Sequence, residues 1–272
     1  MARAMRARQF RARGTRYRPR RVEPLSLAIL TATALATSVV SGMLGLAGGI
    51  ILLSVLLLFL EPLVAIPLHG VIQLVSNSSR AWIQRRHVHG GIALRYALPL
   101  VPLGFAGLAF AERLPPRTLE AAIGVFVILA TWRPAWLLLG RRPEETHPTR
   151  RFLWLGVLVG FLNPIVGATG PLLAPFFLKL GLARQAVVGT MAACQSLGHL
   201  TKIAVFGAAG FAFREHLALL VLLSAAAVAG TWLGTRLLDR LDDRRFEIVY
   251  KTVLTAIAIR LVVGEGWRIL AR

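Results

Sequence analysis

The sequence predicts an all-α, polytopic membrane protein of about eight transmembrane helices in two repeated halves, each half opened by a helix that glycine or proline breaks. Three observations predict it. Hydrophobic residues make up 56% of the 272-residue chain and charged residues 16%, against about a quarter charged in a soluble domain. The apolar residues fall into runs close to the ~20 residues that cross a bilayer core as helix. Polar and apolar residues do not alternate with period two, so the spans are expected to be helices, which satisfy their own backbone groups in lipid, rather than strands of a barrel.

From the N-terminus, residues 1–24 form a basic tail with nine arginines and almost no periodic apolar pattern, expected to be disordered and loosely held at anionic headgroups. The first half, residues 25–140, holds apolar runs at Leu25–Leu44, Val64–Ile83, Ile92–Ala111 and Leu119–Leu139, with a shorter run at Ile50–Leu60. Residues 141–151, RRPEETHPTRR, read as an exposed linker from their charges and two prolines. The second half, residues 152–272, holds runs at Phe152–Leu178, Ala186–Phe206, His216–Leu237 and Phe246–Val263. The net charge of +20 would suggest nucleic acid in a soluble protein. Here the basic residues gather at the ends of apolar runs, so the expected partner is the lipid bilayer, with no nucleic acid. The basic loops Arg80–Arg95 and Arg141–Arg151 and the tail are expected on the cytoplasmic side, which places both termini there and requires an even number of crossings between them.

Sliding the chain on itself by 122 residues lays Gly45 and Gly48 over Gly167 and Gly170, and Gln73, Ser79 and Arg80 over Gln195, Thr201 and Lys202, without a gap. One shift aligns two motifs, which predicts an internal repeat. Counting each broken run as one bent crossing gives four crossings per half and parallel halves. A hairpin that enters and leaves on one side would give an odd count and inverted halves. The basic loops favour the even count, although Leu25–Leu60 as one straight helix would reach about 54 Å, so strong bending or re-entry is required.

The breaks are GMLGLAGG, Gly42–Gly49, and NPIVGATGP, Asn163–Pro171. Glycine disfavours helix by roughly 1 kcal/mol relative to alanine, and Pro164 and Pro171 each remove a helix donor. The runs are expected to unwind at membrane depth, where exposed backbone is tolerated only inside protein or beside a water-filled cavity. Helices restarting near Ile50 and Leu172 would then point positive ends at an anion. The competing reading is that the small residues only permit close helix packing. After each break comes a polar stripe at helical spacing: His69, Gln73, Asn77 and Arg80 in the first half, Met191, Gln195, His199 and Lys202 in the second. The charged members are cations with no carboxylate beside them, which favours an anionic substrate. The competing reading is that Arg80 and Lys202 snorkel to headgroups from the helix ends. The candidate substrate-binding residues are therefore Gly45, Gly48, Gly49, Gln73, Asn77, Arg80, Asn163, Gly167, Thr169, Gly170, Gln195, His199 and Lys202. If protons couple, His199 or His69 is the expected relay.

His87 and His89 lie in a basic loop with no cysteine or carboxylate partner, and no phosphate loop, zincin motif or nucleophile elbow occurs. No cofactor, metal or catalytic residue is expected. The single cysteine, Cys194, stands five residues from His199, and the two diverge by about 140° around a helix. That leaves an intramembrane enzyme as the weaker alternative, beside a transporter or channel for a cation or metal.

In SGMLGLAGGIILLSVLLLFL and NPIVGATGPLLAPFFLKLGLARQAVVGTMAACQSLGHLTK, the chain resembles the TauE/SafE family of sulfite exporters, whose members carry a glycine-rich break early in each of two similar halves. The second copy, with Gly167, Gly170, Pro171, Pro175, Gly189 and Thr190, is the closer to the family. The first departs from it, with Leu53 in place of the proline and Pro67-Leu68 in place of Gly189-Thr190. The resemblance implies a multi-pass protein of a bacterial-type inner membrane. It implies transport, mostly export, of small sulfur-containing anions, without ATP and coupled to an ion gradient.

Overall fold

The structure is a computed structural model, and it describes residues 23–44, 48–133, 136, 148–177, 180–236, 255 and 259. The tail through Val22, Gly45, most of the linker, the acidic and basic cluster Asp239–Glu247 and nearly all of the run Phe246–Val263 lie outside the described residues. Among the described residues the chain is all helical, with ten α-helices and no strand. They are α1 (Pro24–Leu44), α2 (Gly48–Leu56), α3 (Pro62–Ile83), α4 (Gly90–Ala97), α5 (Leu100–Ala111), α6 (Pro116–Trp132), α7 (Pro148–Val166), α8 (Ala174–Phe177), α9 (Arg184–Ala208) and α10 (Leu217–Arg236). Prolines at the first positions of α3 and α6 suit a place where a helix N–H has no internal acceptor. Helix α7 takes in the last four residues of the expected linker, and Arg151 is buried there, donating to the Phe176 carbonyl at 3.2 Å.

The two stripe-bearing helices, α3 and α9, pack against each other at the centre. Around them α1 packs on α10, and α7 packs on α4 and α5, so each broken helix lies against helices of the opposite half. Among the described residues two stretches, Pro24–Gly42 and Phe213–Arg236, are long and apolar enough to cross a membrane, and the pair α4 and α5, bent by 41°, makes a third if it is one span. Polar stripes lower the apolarity of α3 and α9, and α6 has only 17 residues.

Polarity runs inside out relative to a soluble fold. Leu25, Leu94, Leu98, Val101, Phe105, Leu217, Val221 and Leu233 are exposed, whereas Arg80, Lys202, His69, Gln73, Asn77 and Asn163 are buried. Trp82, Trp132 and Trp136 stand exposed at helix ends, with Arg85 and Arg133 over the rings of Trp82 and Trp136, as expected of interfacial anchors.

Glycine sets how closely the helices approach. Gly230 and Gly234 of α10, one turn apart, meet the backbone of α1 at the Leu35 and Val39 carbonyls, and Gly42 faces the Thr231 carbonyl from the other side. Gly107 of α5 meets the Phe161 carbonyl of α7 in the same way. Close packing therefore accounts for Gly42, while the other break glycines have different work.

A Cβ at Gly234 would collide with backbone that cannot give way. Gly234→Ala should lower the thermal unfolding temperature in detergent, by a destabilisation of about 1–3 kcal/mol. Gly90→Ala, where a Cβ meets nothing within 4 Å, should leave it unchanged or slightly raised.

Candidate functional site

The first break reverses the chain. Helix α1 ends at Leu44 and α2 starts at Gly48, and Gly48 lies against the Thr37 carbonyl and the Ser41 hydroxyl, so close that any Cβ there would overlap them. A helix continued straight would carry residue 48 about 16 Å beyond residue 37. The run is thus a complete helix followed by a fold-back, not one bent crossing. The buried Gly48 N–H donates to Ser41 Oγ at 3.1 Å, which supplies the acceptor that a helix start lacks.

The second break differs. Helix α7 ends at Val166, and Gly167 takes φ +73° with its N–H on the Asn163 carbonyl at 2.9 Å, the left-handed residue that commonly closes a helix. Beyond it stand one turn of 3-10 helix, Gly170–Leu172, and the four-residue α8. A long restarting helix near Leu172 does not form, because Pro171 and Pro175 each strip a donor from the segment. The expected macrodipole there is correspondingly short. Among the described residues, the backbone N–H groups of Thr169 and Gly170 make no hydrogen bond.

These two breaks and the middles of α3 and α9 enclose a cavity. It is lined by Gly49, Ile50, His69, Gln73, Tyr96, Asn163, Ala168, Thr169, Gly170, Gln195, Gly198 and His199, and at about 10 Å³ it has room for about one water. Gln73 and Gln195 are each the twelfth residue of their helices. The His69 and His199 rings meet edge to face, with centroids 5.6 Å apart. No carboxylate lines the cavity.

Behind the wall lie the two cations, both buried, so neither snorkels to a headgroup. Lys202 Nζ donates to the Gly167 carbonyl at 2.7 Å, and it lies 3.5 Å from Asn163 Oδ1 and 3.4 Å from His69 Nδ1. His69 Nε2 meets the Gly49 carbonyl at 2.8 Å. That oxygen can only accept, so Nε2 carries the ring proton and Nδ1 is free to accept from Lys202. One chain of polar contacts thus ties the second break to the first: Gly167, Lys202, His69, Gly49. Arg80 donates to the Ser41 carbonyl and to Asn77 Oδ1, its Nε has no partner, and Asn77 Nδ2 donates to the Gln73 carbonyl at 2.8 Å.

Of the sequence-predicted residues, seven line the cavity: Gly49, Gln73, Asn163, Thr169, Gly170, Gln195 and His199. Gly48, Asn77, Arg80, Gly167 and Lys202 form the layer behind it, and Gly45 is outside the described residues. Tyr96 and Gly198 line the cavity without having been singled out. The Tyr96 hydroxyl sits 3.0 Å from where a Gly198 Cβ would be, a fit between α4 and α9 that no local pattern announces. Cys194 is buried off the cavity wall while His199 is on it, so the two do not converge. Among the described residues, no three of His, Cys, Asp and Glu gather as metal ligands.

The two glycine-rich breaks are what the family resemblance implied, and the buried cations beside them come from the polar stripes. Residues 30–261 match the family description Sulfite exporter TauE/SafE. The chain belongs to the TauE/SafE family. TauE/SafE proteins are membrane transporters of sulfite and related sulfur anions, and the exposed apolar helices agree with a place in the membrane. No curated protein and no solved structure matches the chain.

Ser41→Ala would leave the buried Gly48 N–H without an acceptor and should destabilise the protein by about 1–3 kcal/mol. Ser38→Ala removes a buried hydroxyl that has no partner and should be neutral or stabilising. Thermal unfolding of the two purified variants side by side checks this.

Proposed function

We propose that this TauE/SafE protein is a secondary transporter that exports a small sulfur-containing anion, sulfite or an organosulfonate, by alternating access between its two halves. The observation that carries this reading is the cavity. It lies between the midpoints of two polar-striped helices, carries amide, hydroxyl and imidazole groups, holds no carboxylate, and has two buried cations just behind its wall.

The backbone N–H groups of Thr169 and Gly170, the Thr169 hydroxyl and the side-chain amides of Gln73 and Gln195 are the proposed donors to the oxyanion. A cavity sized for one water must widen to admit the anion. Helices α1 and α10 on one flank, and α7 with α4 and α5 on the other, are the units proposed to rock about the paired α3 and α9.

Several features support duplicated halves. Helices α3 and α9 start at Pro62 and Arg184, and the segments after the breaks start at Gly48 and Gly170, both pairs 122 residues apart. Arg80 bonds to Ser41 and Lys202 lies beside Asn163, and these pairs match at the same offset. Taking α1, α3, α4 with α5, α6, α7, α9, α10 and the run Phe246–Val263 as spans gives eight. Helix α2 and the segment after Gly167 then dip back without crossing, which keeps both termini cytoplasmic in an inner membrane, with the basic loops on the same side.

Proteoliposomes containing the protein should take up labelled sulfite faster than empty liposomes. Sulfite at a hundred times its Kd should stabilise the purified protein by about 2.7 kcal/mol. Gln195→Leu, which removes one neutral hydrogen bond, should weaken that binding about 2- to 10-fold. A protein that neither transports nor is stabilised by any sulfur oxyanion would remove this reading.

A further inference from the structure

The contacts of Lys202 count protons. An ammonium has three N–H donors and no acceptor, whereas a neutral amine has two donors and one lone pair. Three groups face Lys202 Nζ, and all three accept. The Gly167 carbonyl can do nothing else. Asn163 presents Oδ1, because its Nδ2 is committed to the Gly198 carbonyl at 3.0 Å. His69 presents the lone pair of Nδ1, because its Nε2–H is on the Gly49 carbonyl. With His69 neutral, the site therefore fits the protonated lysine better than the neutral one, which would aim a lone pair at an acceptor. The other ionisable groups around it are cationic or neutral: Arg80 of α3, His199 and Cys194 of α9 itself, and Tyr96 of α4. Among the described residues no carboxylate offsets the charge, so the ammonium is held by the carbonyl at the closing end of α7 and by neutral oxygen and nitrogen.

The same contacts hold the cavity shut. Lys202 belongs to the second half and His69 to the first, and the chain from Gly167 through Lys202 and His69 to Gly49 ties one break to the other. Rocking α7 away from the paired α3 and α9 to admit an anion pulls the Gly167 carbonyl and Asn163 away from Lys202. That opens the amine to water.

We infer that Lys202 is the coupling-ion site of the transporter: it carries a proton while the two breaks are tied together and exchanges it with water on the side to which they part. On release, one Nζ–H bond breaks, the proton passes to water on the side to which the cavity has opened, and the neutral amine keeps the electron pair. Reprotonation from water restores the tie. Its counterpart in the first half is Arg80, whose guanidinium stays charged throughout, so one copy of the position holds a fixed cation and the other a switchable one. This inference rests on the transporter reading.

The test uses purified full-length protein in sodium-free proteoliposomes with an internal pH dye and labelled thiosulfate, an anion whose charge does not change near neutral pH. Wild type should move protons in fixed ratio to thiosulfate, and an imposed pH gradient alone should drive thiosulfate accumulation. Lys202→Met should lose at least nine-tenths of the accumulation driven by the pH gradient. Lys202→Arg, which keeps the charge but cannot cycle it, is the second variant. Its stabilisation by thiosulfate should be flat across neutral pH, where that of wild type changes. Thiosulfate transport by wild type without proton movement, transport that requires sodium, or either variant retaining wild-type proton coupling would overturn the inference. If wild type transports neither thiosulfate nor sulfite under any condition, the transporter reading itself fails.

Discussion

A buried ammonium among neutral acceptors is the constraint on which the rest of this structure turns. Removing such a charge from water costs several kcal/mol even after the surroundings relax, and among the described residues no carboxylate repays it. The protein offsets the cost with backbone. The Gly167 carbonyl can reach Lys202 Nζ because Gly167 turns left-handed and ends α7 there, exposing carbonyls that a continuing helix would have consumed. The aliphatic stem of Lys202 reaches that carbonyl across Gly70 of α3, where a Cβ would stand 2.7 Å from the lysine Cε. Gly198 leaves its carbonyl to Asn163 Nδ2 and its empty side to the Tyr96 hydroxyl. Three glycines, one just past the end of α7 and one each in α3 and α9, are thus placed by one cation, and their roles differ: a backbone angle, a passage and a pocket.

Packing then decides which parts can move together. Helix α1 is fastened to α10 through glycine faces at backbone distance, and α7 to α5 in the same manner. Contacts of this kind cannot slide by a fraction of a residue without collision, so each pair behaves as a unit. Polar groups, by contrast, join the two breaks, with few atoms and some long distances, as in the 3.4 Å between Lys202 and His69. Rigid apolar pairs linked by sparse polar ties are suited to a two-state movement, since breaking a few hydrogen bonds with water at hand costs far less than repacking a glycine interface.

The helical character and the polar stripes were legible in the sequence because each is a local periodicity. The spacing of His69, Gln73, Asn77 and Arg80 names one helix face whatever lies opposite. The opposite side was not legible. Nothing in RYALPL marks Tyr96 as a cavity residue, because its role depends on a vacant Cβ position a hundred residues later. The fold-back after Leu44 was hidden for a similar reason: glycines license a reversal but do not compel one, and the partner that fixes this one, Ser41, is an ordinary small residue of the preceding helix. The positions of Arg80 and Lys202 near helix ends fitted snorkelling equally well. Only their burial, with backbone carbonyls as partners, separates that reading from a role inside the bundle.

The two breaks are built in chemically opposite ways. In the first, Ser41 accepts from the Gly48 N–H and the Ser41 carbonyl takes the Arg80 guanidinium, so that break is closed on itself with a permanent charge. In the second, the position equivalent to Ser41 is Asn163, whose amide serves Gly198 and Lys202 rather than the chain beyond the break. Prolines there prevent a helix from forming that would absorb the Thr169 and Gly170 N–H groups. Backbone donors, a lysine and a short, poorly helical segment therefore collect at the second break, and an arginine and a sealed turn at the first. A break closed on its own hydrogen bonds keeps its shape, whereas one held by a few contacts to a single lysine can change its partners at lower cost.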